Sequence, residues 1–154
     1  MLYRSSERAD IPGMARIRAS EWGRFEFWTN RITGYLNGEH NPQRALPPRS
    51  CYVAVGESSV VAFVAGHLTR RYGCEGELEW INVIPERRGA GVASELLRLL
   101  AGWFVEQKAF RVCVDVEPSN AVARAFYTRH GAETLNEHWL VWNNISNLVA
   151  MPQR

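Results

Sequence analysis

Apolar positions recur along this chain with two periods, and the switches between them mark its elements. Leu2 to Arg4 predicts a short first strand. Ile11, Met14 and Ile17 then fall at helical spacing behind Asp10, a candidate N-cap, with Pro12 in the first turn. That helix should end near Gly23. A second helix is predicted from Arg24 to Leu36, stopped by Asn37-Gly38. It carries Phe25, Phe27, Trp28 and Tyr35, with Trp22 just upstream. Aromatics one or two positions apart cannot all face one core, so some should line a cleft or an interface. Asn41 to Arg49 reads as a loop by its prolines. Cys51 to Val55 and Val60 to Leu68, joined through Gly56-Glu57-Ser58-Ser59, predict a β-hairpin.

Glu75 to Ile84 predicts another strand. Its alternation puts Glu77, Glu79, Ile81 and Val83 on one face and Leu78, Trp80, Asn82 and Ile84 on the other. From Ala90 to Phe104 a helix should bury Val92, Leu96, Leu99, Leu100 and Trp103, leaving Glu95, Arg98 and Glu106 wet. Phe110 to Val116 is a β-branched strand. Ala121 to His130 is a helix stopped by Gly131, and Ala132 to Leu135 with His138 to Trp142 forms a last pair of strands. This order of seven strands and four helices predicts an α/β fold with a mixed, mostly antiparallel sheet. Hairpins pair antiparallel, whereas strand–helix–strand from Glu75 to Val116 requires a parallel crossover. The chain reads as one domain over residues 1–146 with a loosely held tail over 147–154.

Composition narrows the partners. A net charge of +2 gives no case for nucleic acid or an acidic membrane. No run reaches the roughly 18 apolar residues of a membrane span, and the N-terminus lacks the apolar core of a signal peptide. Cys51, Cys74 and Cys113 are odd in number and form no C-x-x-C pair, so a reduced, cytoplasmic protein is expected. There is no metal signature: no His-x-x-x-His, no cysteine pair and no clustered carboxylates.

The chemistry gathers after the strand ending at Val83-Ile84-Pro85-Glu86. There Arg88-Gly89-Ala90-Gly91-Val92-Ala93 forms a glycine loop opening a helix. The glycines let backbone approach a ligand, and the helix N-terminus offers unpaired N–H groups and a positive dipole end, a cradle for phosphate or pyrophosphate. A β-carbon at Gly89 or Gly91 is expected to block that approach, and Arg88 is placed to contact phosphate. Glu77 and Glu79 are candidate bases. His40 and His138 are lone histidines, which are more often structural.

These residues resemble the GNAT superfamily of acetyl-CoA-dependent N-acetyltransferases. Arg88 to Ala93 matches that family's (Gln/Arg)-x-x-Gly-x-(Gly/Ala) signature. Asn120-x-x-Ala123-x-x-Phe126-Tyr127-x-x-x-Gly131 resembles its second motif, with Ala132 where the family commonly has Phe, a departure that bears on local packing. The resemblance spans Leu2 to Trp142 and is weakest from Trp22 to Arg49. It implies a sheet with a splayed parallel pair at the cofactor site. Acetyl-CoA would lie with its pyrophosphate on Gly89, Ala90, Gly91, Val92 and Ala93, and its pantetheine on the edge at Val83 and Ile84. Asn120, Ala123 and Phe126 would stand beside it, with Tyr127 as general acid. The implied reaction is direct attack on acetyl-CoA, in a ternary complex, by a primary amine of a small molecule or peptide.

Two other readings stay open at this point. A non-catalytic CoA sensor would keep the cradle without the chemistry. A dinucleotide-binding oxidoreductase would read Gly89-x-Gly91-x-x-Ser94 as a degenerate fingerprint, but it lacks the acidic residue about 20 positions on. A homodimer also remains open.

Overall fold

The long apolar runs of the middle of the chain become the long strands of a single sheet, and the amphipathic runs become helices on both its faces. The computed structural model describes residues 1–149. In order these are β1 (Leu2–Ser5), α1 (Ile11–Glu21), α2 (Phe25–Leu36), β2 (Ala45–Gly56), β3 (Ser59–Thr69), β4 (Gly76–Val83) and α3 (Val92–Glu106). Then follow β5 (Val112–Asp115), α4 (Ala121–Arg129), β6 (Glu133–Thr134), β7 (Trp139–Trp142) and α5 (Ser146–Val149). The strand order is β1-β2-β3-β4-β5-β7-β6, with β4–β5 as the parallel pair and every other pair antiparallel. This is the mixed α/β fold that the element order predicts, with α5 as a fifth helix.

One face is covered by α1 and α2, whose Met14, Ile17, Trp28, Ile32 and Tyr35 pack on Val53, Phe63, Ala65 and Trp80 of the sheet. The other is covered by α3, where Leu96, Leu97, Leu100 and Phe104 meet Ala62, Val64, Leu78 and Val112. The buried stripe of α3 is rotated from the expected one: Leu97 and Phe104 are fully inside, while Leu99 and Trp103 are half-buried.

Three local expectations are corrected. The proline-rich segment is not all loop, because β2 begins at Ala45. Its pairing with β3 slips between Leu46 and Arg49, leaving Pro47 and Pro48, which lack N–H donors, out of the ladder. Asp10 does precede α1, but its carboxylate does not cap that helix. It accepts two bonds from Arg4, at 2.7 and 2.9 Å, and one from the Glu7 N–H. The chain beyond residue 146 does not leave the body: Leu148 of α5 is buried against the α3 core. Residues 150–154 of the expected tail lie outside the described residues.

The start of β4 is tightly packed. A β-carbon on Gly76 would stand 2.5 Å from Cε1 of the buried Phe104 ring. Gly76→Ala is therefore expected to cost about 2 kcal/mol and to lower Tm by roughly 4–8 °C, checked by thermal denaturation. An unchanged Tm would mean that the Phe104 ring yields freely.

Candidate active site

Although β4 runs to Val83, its pairing with β5 stops at Leu78 opposite Val114. The edge of β4 from Glu79 onward therefore faces β5 without a strand on it. The β3–β4 ladder breaks at the same level. Ala65 pairs with Trp80 and Gly66 with Leu78, so Glu79 is the extra residue of a β-bulge.

The bulge overturns the face assignment read from strict alternation. Glu77, Glu79, Trp80 and Asn82 lie on the α1–α2 side, while Leu78, Ile81 and Val83 pack toward α3. Glu79 thus stands next to Trp80 and not on the face of Val83. Ile84 also differs from expectation. Its N–H bonds the Val61 carbonyl of β3, so it does not offer the open edge. Since backbone groups alternate sides along a strand, Ile81 and Val83 present theirs outward.

The glycine loop leaves the start of α3 uncapped. Gly91, at φ +82°, is the N-cap of the 15-residue α3 and brings no capping side chain, so the first-turn N–H groups keep their donors. Gly89 sits at φ +80°. A β-carbon at either would meet nothing of the chain within 4 Å. What requires glycine here is the left-handed backbone, and the space beside both positions is open. Ala90 is exposed, Ala93 is half-buried, and the Val92 side chain is in the core, leaving its backbone for a ligand.

Arg88 does not point its guanidinium at that space. Its Nε donates to the Val83 carbonyl at 3.0 Å and its NH2 to Glu21 Oε1 at 2.8 Å. A groove of about 990 Å³ runs from there along α1, past Ile84, Gly13, Arg16 and Val60, and reaches neither Glu79 nor Tyr127.

On the second motif, Asn120 caps α4 by accepting the Ala123 N–H at 3.1 Å, which accounts for it without a ligand. Ala123 and Phe126 are half-buried against the α3 core. Phe126 stacks near His130, which bonds Ser94 Oγ at 2.9 Å and so ties the end of α4 to the start of α3. Ala132 is buried, and the Trp142 indole packs beside it, edge-on to Tyr127 and bonded to the His130 carbonyl. The aromatic side chain that Ala132 lacks is thus matched by one from β7. Tyr127 is buried, which pushes its phenol well above the usual range despite the nearby Arg18 charge. Its hydroxyl makes no hydrogen bond among the described residues, so it stays protonated and free to donate.

The two glutamates part company. Glu77 is buried against Arg71, with Nε at 3.3 Å, and against His67. Glu79 has no hydrogen bond among the described residues. Burial is the main cause that raises its carboxyl to about 7; Glu77 adds to the rise, while His67, Arg18 and Arg31 oppose it. Of the two, Glu79 is the one able to exchange a proton near neutrality.

Sequence reasoning missed the residues around it. His67 is fully buried on β3 opposite Glu77, whereas the two histidines it weighed are off the cluster: His138 beside Glu137 and His40 at the end of the α2 turn. Tyr35 Oη lies 2.8 Å from His67 Nδ1. Burial holds the proton on Tyr35, and His67 Nε2 is buried without a hydrogen-bond partner 3.7 Å from Glu77. His67, Glu77 and Glu79 bring ligand atoms within 4.8 Å of one another, a carboxylate cluster the sequence did not reveal. Tyr35 and Arg71 already engage two of those three side chains.

Arg18 was missed as well. From α1 its guanidinium lies over the Trp22 and Trp28 rings at 4.6 and 4.3 Å and donates to Asn82 Oδ1 at 2.8 Å. Its charge reaches both Glu79 and Tyr127. No spacing pattern in the sequence links these positions.

The structure thus combines a parallel pair that opens beyond Leu78 with a long helix opened by glycines. The acetyltransferase (GNAT) family model matches residues 14–132, and the chain belongs to that family of acyl-CoA-dependent N-acetyltransferases. No curated protein matches the chain. Among solved structures it is similar to the aminoglycoside 6'-N-acetyltransferase of Acinetobacter haemolyticus (TM-score 0.73, 20% identity, 88% of this chain and 93% of that one). It is also similar to the ribosomal-protein-S18-alanine N-acetyltransferase of Escherichia coli (0.63, 17%, 91% and 90%). A third is the PaiA N-acetyltransferase of Thermoplasma acidophilum in complex with coenzyme A (0.66, 14%, 91% and 96%).

The raised carboxyl of Glu79 has a consequence for stability. The folded chain keeps this proton up to about pH 7, whereas a free glutamate releases it near 4.5. Stability therefore falls as pH rises between those values, by about 3 kcal/mol once the carboxylate is ionised. Glu79→Gln should match the parent near pH 4 and melt higher at pH 8. A melting difference that does not vary with pH would refute the assignment.

Proposed function

We propose that the chain moves an acetyl group from acetyl-CoA to a primary amine of a small molecule or peptide, by direct attack in a ternary complex. The observation that carries this reading is the gap between β4 and β5. Glu79 belongs to the α1–α2 side of the sheet and Tyr127 to the α3 side, yet Arg18 acts on both. Opposite faces of a sheet communicate in this way where two strands part.

In this reading the backbone N–H groups of Gly89 to Ala93 hold the pyrophosphate, and the outward groups of Ile81 pair with a pantetheine amide, the Val83 carbonyl being held by Arg88 Nε. The Val83 N–H stands where it can donate to the thioester oxygen and stabilise the negative charge that forms there. Glu79 takes a proton from the arriving ammonium, directly or through water. The neutral amine attacks the thioester carbon, the C–S bond breaks, the Tyr127 hydroxyl gives its proton to the leaving thiolate, and the proton the nitrogen sheds in becoming an amide restores Tyr127 through water. A CoA sensor would have no use for a buried carboxyl beside the gap that makes no hydrogen bond among the described residues. The three cysteines are free and buried, and no helix among the described residues is long and apolar enough to cross a membrane; a cytoplasmic setting is the matching proposal.

Calorimetry with acetyl-CoA, followed by release of CoA thiol across an amine panel, tests the reaction. Tyr127→Phe should lower kcat by about 100-fold with acetyl-CoA affinity little changed. Full turnover with chemistry rate-limiting would remove Tyr127 from the acid role. The parent should lose kcat/KM as pH falls through about 7, the value to which Glu79 is raised. In Glu79→Gln that limb should disappear together with most of the activity. A limb that persists unmoved would place the base elsewhere.

A further inference from the structure

The acceptor's own chemistry is written in the charges that surround Glu79. Glu77 is matched by Arg71, and Glu21 by Arg88 at 2.8 Å, so neither acid is left over to hold a second cation. Against the carboxyl of Glu79, which makes no hydrogen bond among the described residues and has His67 Nδ1 at 4.0 Å, stand two arginines, Arg18 from α1 and Arg31 from α2. When Glu79 has taken the amine's proton it is neutral, and the local balance is positive. The aromatic stretch expected to line a cleft or an interface is also occupied from within: Arg18 lies over Trp22 and Trp28, and Arg31 over Phe27 at 4.9 Å, so these ring faces are taken from a cationic acceptor.

Arg18 is the more telling of the two. Its guanidinium is largely buried, and only NH1 is engaged, with Asn82. Nε is buried without a partner, and NH2 makes no hydrogen bond among the described residues. An arginine fork held flat by indoles, with unspent donors and charge acting on both the base and the acid, is suited to an oxygen acceptor near the reacting amine.

We infer that Arg18 binds a carbonyl or carboxylate oxygen on the carbon next to the acceptor's amine, so that the substrate is an α-amino acyl compound, an amino acid or a peptide N-terminus. This rests on the amine-acetylation reading above. Polyamines and aminoglycosides would bring extra positive charge toward Arg18 and Arg31 and leave the Arg18 donors unused. A lysine ε-amine would reach Glu79 but carries no oxygen beside it.

The test is a comparison of kcat/KM with acetyl-CoA for free alanine, an alanyl tripeptide amide, Nα-acetyl-lysine amide, spermidine and kanamycin. At least one of the first two should exceed the last three by about 100-fold or more, and which of the two leads separates carboxylate from peptide carbonyl. In Arg18→Gln the ratio between the better α-amino acyl acceptor and spermidine should shrink by about tenfold or more, mainly through the acceptor's KM. Should that variant not fold, Arg18→Lys serves, because it keeps the charge and loses the planar fork; its ratio should shrink too. Preference for spermidine or kanamycin, or an unchanged ratio in a folded variant, overturns the inference while leaving amine acetylation intact. Acetyl-CoA binding with no turnover of any amine would instead defeat the underlying reading.

Discussion

The parting of β4 from β5 is the constraint on which the rest of this molecule depends. Two strands that pair for three residues and then diverge leave backbone donors and acceptors uncovered in the middle of a sheet, where they would ordinarily be satisfied. Such an edge is costly unless something with amide groups of its own can lie on it. The bulge at Glu79 falls at the point of divergence, and it turns an acidic side chain toward α1 and α2 while Val83 stays in the α3 core. Strand divergence, bulge and the placement of the Glu79 carboxyl are thus one structural event.

Around that event the protein spends arginine to keep acid groups in order. Arg71 neutralises Glu77, Arg88 neutralises Glu21 and also bonds the Val83 carbonyl, and Arg18 bridges from the tryptophans to Asn82. Glu79 is left as the carboxyl without a hydrogen bond in this group, and burial then raises it to about 7. The glycine loop, by contrast, works through backbone alone. Its left-handed glycines and uncapped helix start present N–H groups, and Arg88 is turned away from them.

Much of this was legible in the chain. The element order gave the sheet, because apolar period and turn residues are local properties. The two motifs placed the cradle and Tyr127, because a glycine loop and a capped helix are contiguous in sequence. Asn120 performs the capping its position implied. Illegible were the face of Glu79, the role of Ile84 and the fate of Arg88. A one-residue bulge reverses alternation without leaving a residue-type signature, and a long arginine side chain can reach several partners.

By itself, then, the sequence determined the alternation of strands and helices, the glycine-opened start of α3 and the identity of the titratable groups. Tertiary structure alone decided which glutamate is paired and which is free. It also brought His67 to Glu77 across the β3–β4 ladder and Arg18 to Asn82 from another layer. The reason is physical: ionisation and specificity depend on burial and on neighbours distant in sequence, and those exist only once the sheet has formed and its helices have docked.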